Sequence, residues 1–188
     1  MNRWTMIPVA LALATVAPAQ AESVDERIVA SQEAIKEFAG TLQGHLMEAM
    51  QQGGPTEAIS VCQQVAPQIA EDISAETGWS VGRTSLKLRN PDNAPDEWER
   101  AVLEHFEARR AQGTPASELS YHETVQEGDE EVFRFMRAIP TGGACLTCHG
   151  SEVGGDIQHA LERMYPEDQA VGYAEGDVRG AFTIIQRM

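Results

Sequence analysis

The chain has 188 residues, of which 14 are Lys or Arg and 29 are Asp or Glu, so its formal net charge at pH 7 is −15. A surface this acidic disfavours nucleic acid and anionic membrane lipid as partners, because both would repel it. It fits equally well a protein that its charge merely keeps soluble and one whose acidic surface attracts a basic redox partner.

The N-terminal segment has the pattern of a cleavable export signal. Arg3 supplies a positive charge, residues 4–17 are apolar, and Ala19 and Ala21 have the small-x-small spacing of a signal peptidase site. The apolar stretch is too short for a membrane-spanning helix. We therefore predict cleavage after Ala21 and a protein that is periplasmic or otherwise exported. We also predict contact with the membrane only during translocation, and one domain over residues 22–188.

Two helices are expected to open the mature chain. Apolar residues recur at helical spacing over residues 24–50, and after a break at residues 51–54 a second apolar stripe, which includes Cys62, starts at Pro55. Pro67 is expected to kink this second helix, because proline has no N–H for the carbonyl four residues earlier.

The next segments alternate between strand and helix patterns. Residues 78–88 predict a strand, and residues 95–110 predict a third helix with acidic residues in its first turn. Residues 118–126 and 130–139 are two alternating runs joined by Gly-Asp, which is typical of a β-hairpin.

The C-terminal part carries one more helix and two more strands. A short helix is expected over residues 157–164, and strands are expected over residues 172–174 and 180–186, around a turn at residues 175–177. The predicted fold class is α+β, with helices first and then a mainly antiparallel sheet.

Residues 145–149 read Cys-Leu-Thr-Cys-His, which is the signature of covalent haem attachment. In such a motif Cys145 and Cys148 add to the two vinyl groups of haem, and His149 becomes an axial iron ligand. A zinc site would need a second ligand pair, and a thioredoxin-like redox motif would open a helix after a strand. The motif therefore predicts one covalently bound haem c.

The second axial ligand is open on residue patterns alone. Cys62 could be a buried apolar residue, an intermolecular disulfide partner or an iron ligand, and its helical stripe favours burial. His45 falls on the apolar face of the first helix, where a histidine in the core or at its rim is the commoner explanation. The other candidates are three histidines in polar settings and two methionines that would also suit a core: His105, His122, His159, Met136 and Met164.

Several blocks of this sequence resemble, in the same order, a family of exported single-haem proteins long described only as a domain of unknown function. The blocks are residues 58–62 (AISVC), 83–95 (RTSLKLRNPDNAP), 145–150 (CLTCHG), 165–170 (YPEDQA) and 176–181 (GDVRGA). The resemblance implies a fold similar to PAS sensor domains and a haem c ligated by a histidine and a cysteine, here His149 and Cys62. Residues 135–140 depart from the family's usual Pro-Ile pair, and we attach no functional loss to this difference.

The segment that contains Arg83, Lys87 and Arg89 has two interpretations. These cations could pair with the haem propionates, or the segment could simply be a turn that leads into the third helix.

Thiolate ligation stabilises ferric iron, so the resemblance leads us to expect a low, negative reduction potential. The predicted function is a sensor of redox state or of a small diatomic gas such as CO or NO, which would act through a partner protein. The alternative is a periplasmic electron-transfer cytochrome. A cytochrome c′-like helical bundle is disfavoured by the strand patterns, and no catalytic residues are assigned, so we do not expect an enzyme.

Overall fold

A four-stranded antiparallel sheet organises the chain in the computed structural model, which describes residues 22–188. The strands are β1 (Ser80–Thr84), β2 (Ser120–Glu127), β3 (Glu130–Pro140) and β4 (Val178–Arg187), in the order β1-β4-β3-β2. The predicted α+β class with an antiparallel sheet is confirmed. The predicted export signal, with its cleavage after Ala21, lies outside the described residues.

Five α-helices accompany the sheet within residues 22–188. They are α1 (Val24–Ser60), α2 (Ala66–Thr77), α3 (Glu97–Ala111), α4 (Leu146–His149) and α5 (Gly155–Met164). None of these helices has the length and apolar character needed to cross a membrane.

Helix α1 folds back on itself at Gly54. The helix begins with a capping box between Ser23 and Glu26, and it is broken where Gly54 adopts φ 71° and ψ −163°. A left-handed φ of this kind favours glycine. Ala49 then packs against Ala58 and Val61 from beyond the break. The part of α1 before the break and the helical residues after it, up to the end of α2, form an antiparallel helical hairpin. The predicted break at residues 51–54 is confirmed.

Cys62 lies in a π-helical turn, Val61–Val65, which joins α1 to α2. The N–H of Ala66 donates to the carbonyl of Val61, five residues earlier. Pro67 has no N–H to donate to a carbonyl of this turn, so the regular helical hydrogen bond cannot form there. The helix predicted to kink at Pro67 therefore has a wider, π-helical turn just before the proline. Such turns are often found at functional sites.

Strands β3 and β4 carry buried side chains on both faces of the sheet. The helical hairpin covers one face, where Phe38 of α1 packs edge-on against Phe182 of β4 with ring centroids 5.3 Å apart. Helix α3 covers the other face through Leu103 and Phe106. The side chains of β3 point to the two faces in turn. Phe133 and Phe135 pack toward the hairpin, and Met136 and Ala138 pack toward α3.

The local predictions for the hairpin and for α3 hold with small shifts. Strands β2 and β3 pair in register down to Glu127 and Glu130, on either side of the turn. Helix α3 starts two residues later than predicted, because Asp96 caps it and forms a capping box with Glu99.

Two predicted strands differ from the structure. The strand predicted over residues 78–88 ends at Thr84, because the N–H of Ser85 donates to the carbonyl of Asn93 and turns the chain away. The strand predicted over residues 172–174 is wrong. The segment forms a single bridge between Tyr173 and Gly150, because the N–H groups of Gly172 and Tyr173 bond to the carbonyls of Gly150 and His149 instead of to β4.

Candidate functional site

The Cys-x-x-Cys-His motif folds as one helical turn, α4, with Cys145 at its N-terminal cap. Positions three and four residues apart share a helix face, so this turn brings Cys148 and His149 to the side of Cys145. Cys62, Cys145 and Cys148 are all free thiols and half-buried. Gly150 ends the turn, and a Cβ atom there would lie 2.6 Å from the carbonyl oxygen of Leu146, so the close approach requires glycine.

The imidazole of His149 is held as a neutral ring with a lone pair on one nitrogen. Its Nδ1 donates to the carbonyl oxygen of Ala170 at 2.7 Å. Burial, together with the charges of Arg179 and Arg89, lowers the pKa of His149 to about 3. The proton therefore resides on Nδ1, and Nε2 carries a lone pair. A neutral imidazole oriented by a carbonyl at its other nitrogen is the usual form of a metal-ligating histidine.

Arg89 connects the motif to the segment that follows α5. Its Nη2 donates to the carbonyl of Cys148 at 2.6 Å, and its Nη1 lies 3.4 Å from Nε2 of His149. It also forms an ion pair with Asp168 at 2.9 Å, in which the two side chains are only 9% and 10% exposed. Asp168 in turn accepts from the N–H of Ala170 at 2.8 Å. Arg89 and Asp168 thus hold both sides of the His149 ring in place.

Tyr173 closes the site on a further side. Its ring meets the His149 ring edge-on, with centroids 6.2 Å apart and an interplanar angle of 77°. Its N–H donates to the carbonyl of His149 at 3.0 Å. Sequence reasoning missed Tyr173 and Asp168, since both contact the motif only through tertiary structure, although Asp168 lies in one of the blocks on which the family resemblance rests.

The π-helical turn brings Cys62 to this region. Next to it, Nε2 of Gln63 donates to the carbonyl of Met164 at 3.4 Å. Burial raises the pKa of Tyr165 to about 12, and the nearby Cys62 contributes to this rise. Burial also raises the pKa of Cys148, with a further contribution from Cys62. Cys62 is therefore within electrostatic range of both the motif and the segment that supports it.

The other candidates for a second axial ligand lie elsewhere or in packed surroundings. His45, His105, His122 and His159 are all exposed, so His45 is not a core histidine. Met136 is fully buried in the cluster beneath α3. Met164 packs in an apolar cluster with Ile59 and Tyr165.

The three predicted propionate partners differ in their surroundings. Arg89 has the protein contacts described above. Lys87 is exposed, with its Nζ donating to the carbonyl of Val171 at 3.3 Å and lying 4.8 Å from the centre of the Tyr173 ring. Arg83 lies over the ring of Phe38, with 5.3 Å between its Cζ and the ring centre. Burial and then the charge of Arg179 lower the pKa of Arg83 to about 10.

Comparisons with known proteins give two matches. The model of a family described as Tll0287-like matches residues 9–187. The chain is also similar to the crystal structure of the cyanobacterial haem protein Tll0287, with a TM-score of 0.65 and 25% sequence identity over 86% of this chain and 95% of that chain. No curated protein matches.

Proposed function

Since this chain belongs to the Tll0287-like family, whose model spans nearly its whole length, we propose that it is a haem-binding protein with one haem c attached through Cys145 and Cys148. The similar cyanobacterial structure is that of a haem protein. The observation that carries the proposal is the neutral His149, whose Nδ1 donates to the carbonyl of Ala170 while Nε2 keeps its lone pair, on the same helical turn as the free thiols of Cys145 and Cys148.

The residues present fit this group. Two thiols and an imidazole on one helical turn match the chemistry of thioether attachment and axial ligation. Haem supplies an iron centre that exchanges one electron and can bind a small gas at an axial position.

Cys62 is the proposed second axial ligand. It is half-buried and its charge contributes to the raised pKa of Cys148, whereas the four histidines that could replace it are exposed. As a thiolate it would add electron density to the iron and lower the reduction potential, and the net charge of −15 acts in the same direction.

The proposed role is that of an exported sensor of redox state or of a diatomic gas such as CO or NO. Cys62 lies on a π-helical turn, and the helical hairpin that contains this turn packs directly on the sheet. Loss of the bond to Cys62, through protonation of the thiolate or reduction of the site, would release the turn and alter its packing. A partner protein would then read this change.

An electron carrier is the second candidate, and the acidic surface favours it, because such a surface attracts a basic redox partner. In a carrier both axial ligands stay bound in both oxidation states.

The test between the two roles is exposure of the reduced, haem-loaded protein to CO. We expect the visible spectrum to change as CO replaces Cys62, and a Cys62→Ala variant supplies the reference spectrum of the CO-bound form. A wild-type spectrum that does not respond to CO, while the variant responds, would contradict the sensor and support the carrier.

A further inference from the structure

Arg83 and Arg179 are half-buried cations for which the described residues provide no carboxylate partner. The arginines that do have one are Arg27, Arg89, Arg110, Arg134 and Arg187. Other arginines without an ion pair within residues 22–188 are either exposed or, as in Arg137, bonded to a backbone carbonyl. A cation withdrawn from water without a counter-ion is costly, so a missing anion is expected beside Arg83 and Arg179.

The backbone brings these two residues together. Arg83 pairs with Phe182 across β1 and β4, and the hydroxyl of Ser85, two residues further on, donates to the carbonyl of Arg179 at 2.8 Å. Arg179 is also the extra residue of a β-bulge. Gly180 pairs with Ile139 and Val178 pairs with the next residue of β3, so Arg179 has no partner on that strand. A bulge redirects a side chain out of the regular alternation of its strand.

The same two residues also lie beside the haem motif. The hydroxyl of Tyr173, whose ring packs on His149, donates to the carbonyl of Arg179 at 3.4 Å. After burial, the charge of Arg179 is the next largest cause of the lowered pKa of both Arg83 and His149. Two guanidinium groups that repel each other next to the iron ligand suit a ligand with two negative charges.

We propose that Arg83 and Arg179 form the binding site for the two propionate carboxylates of the haem. This inference rests on the haem attachment proposed above. A guanidinium group matches a carboxylate with two parallel N–H donors, so two arginines neutralise and orient two propionates.

The proposal replaces two of the partners suggested by the sequence. Arg89 already neutralises Asp168 and bonds to the carbonyls of Cys148 and Ala170, so it is a positioning residue for His149. Lys87 is exposed and bonds to a carbonyl.

Arg83→Gln and Arg179→Gln test the proposal in the full-length, haem-loaded protein. We expect each variant to shift the propionate bending mode in the resonance Raman spectrum. We also expect each variant to lower the ferrous-to-ferric ratio roughly tenfold at a fixed applied potential, because loss of a positive charge disfavours the ferrous form. This change corresponds to a reduction potential about 59 mV more negative. Arg100→Gln is the matched control, because Arg100 is exposed on α3 and should change neither quantity.

The outcomes separate this inference from the proposed function. If either variant keeps covalent haem and its propionate mode does not shift, the paired site is overturned and the proposed function is not. A wild-type protein without covalent haem would instead overturn the proposed function. If the glutamine variants do not accumulate, Arg83→Lys and Arg179→Lys keep the charge but lose the forked donor. The propionate mode should then shift at nearly unchanged potential, and an unshifted mode would again overturn the site.

Discussion

Replacement of Cys62 by alanine is expected to change the ferric protein from a low-spin, six-coordinate form to a form with water or no ligand opposite His149. The reason is that the side chain that would supply the thiolate is removed, and the histidines that could take its place are exposed. Absorption and electron paramagnetic resonance spectra of the ferric wild type and variant would show the change. The reduction potential should also rise, because a strong electron donor is lost.

Two further variants control this experiment. Gln64→Ala changes an exposed residue of the same π-helical turn and should leave the spectra unaltered. Cys62→Met should restore a six-coordinate site with a thioether ligand and a higher potential than that of the wild type. A Cys62→Ala variant with the low-spin spectrum of the wild type would rule out thiolate ligation.

Asp168→Asn should destabilise the protein strongly, by about 3–5 kcal/mol in the free energy of unfolding. The substitution leaves the guanidinium of Arg89 unpaired, although only 9% of that side chain is exposed. It also disturbs the hydrogen bonds that orient His149, so the axial histidine should become less well fixed. Urea unfolding of wild type and variant measures the first effect, and the linewidth of the ferric spectrum reports the second.

The matched control is Glu33→Gln, which breaks an ion pair with Lys36 in which both side chains are largely exposed. Exposed pairs of this kind contribute at most about 1 kcal/mol, so this variant should unfold close to the wild type. If Asp168→Asn lost no more stability than Glu33→Gln, the buried pair would not hold the site together.

Features governed by neighbouring residues could be predicted from the sequence. The helical periodicity, the glycine break at Gly54 and the β2–β3 hairpin all depend on residues close together in the chain, and all three predictions are confirmed. Local spacing determines each of these features.

Features that depend on distant partners could not be predicted in this way. Residues 172–174 alternate like a strand, but the N–H groups of Gly172 and Tyr173 bond to the carbonyls of Gly150 and His149, which no local pattern reveals. Arg83 and Arg89 carry the same charge and could not be distinguished locally. Arg89 is a positioning residue because it pairs with Asp168, which lies far along the chain. Arg179 could be proposed as a propionate partner only from the structure, in which a β-bulge redirects it from the regular alternation of β4.

Cys62 is an intermediate case. Its helical stripe alone favoured simple burial, and the family resemblance was needed to suggest a ligand. The structure adds that Cys62 is half-buried on a π-helical turn near Tyr165 and Cys148. Its role as an axial ligand stays a prediction until the spectra of the variant are measured.

Intact-mass spectrometry of the protein, produced in a host that attaches haem c, tests haem attachment most directly. We expect the mass of the polypeptide plus one haem, which remains bound after acid-acetone extraction and is absent from a Cys145→Ala/Cys148→Ala variant. A polypeptide mass without haem, or a haem that acid-acetone removes from the wild type, would contradict covalent attachment through these two cysteines.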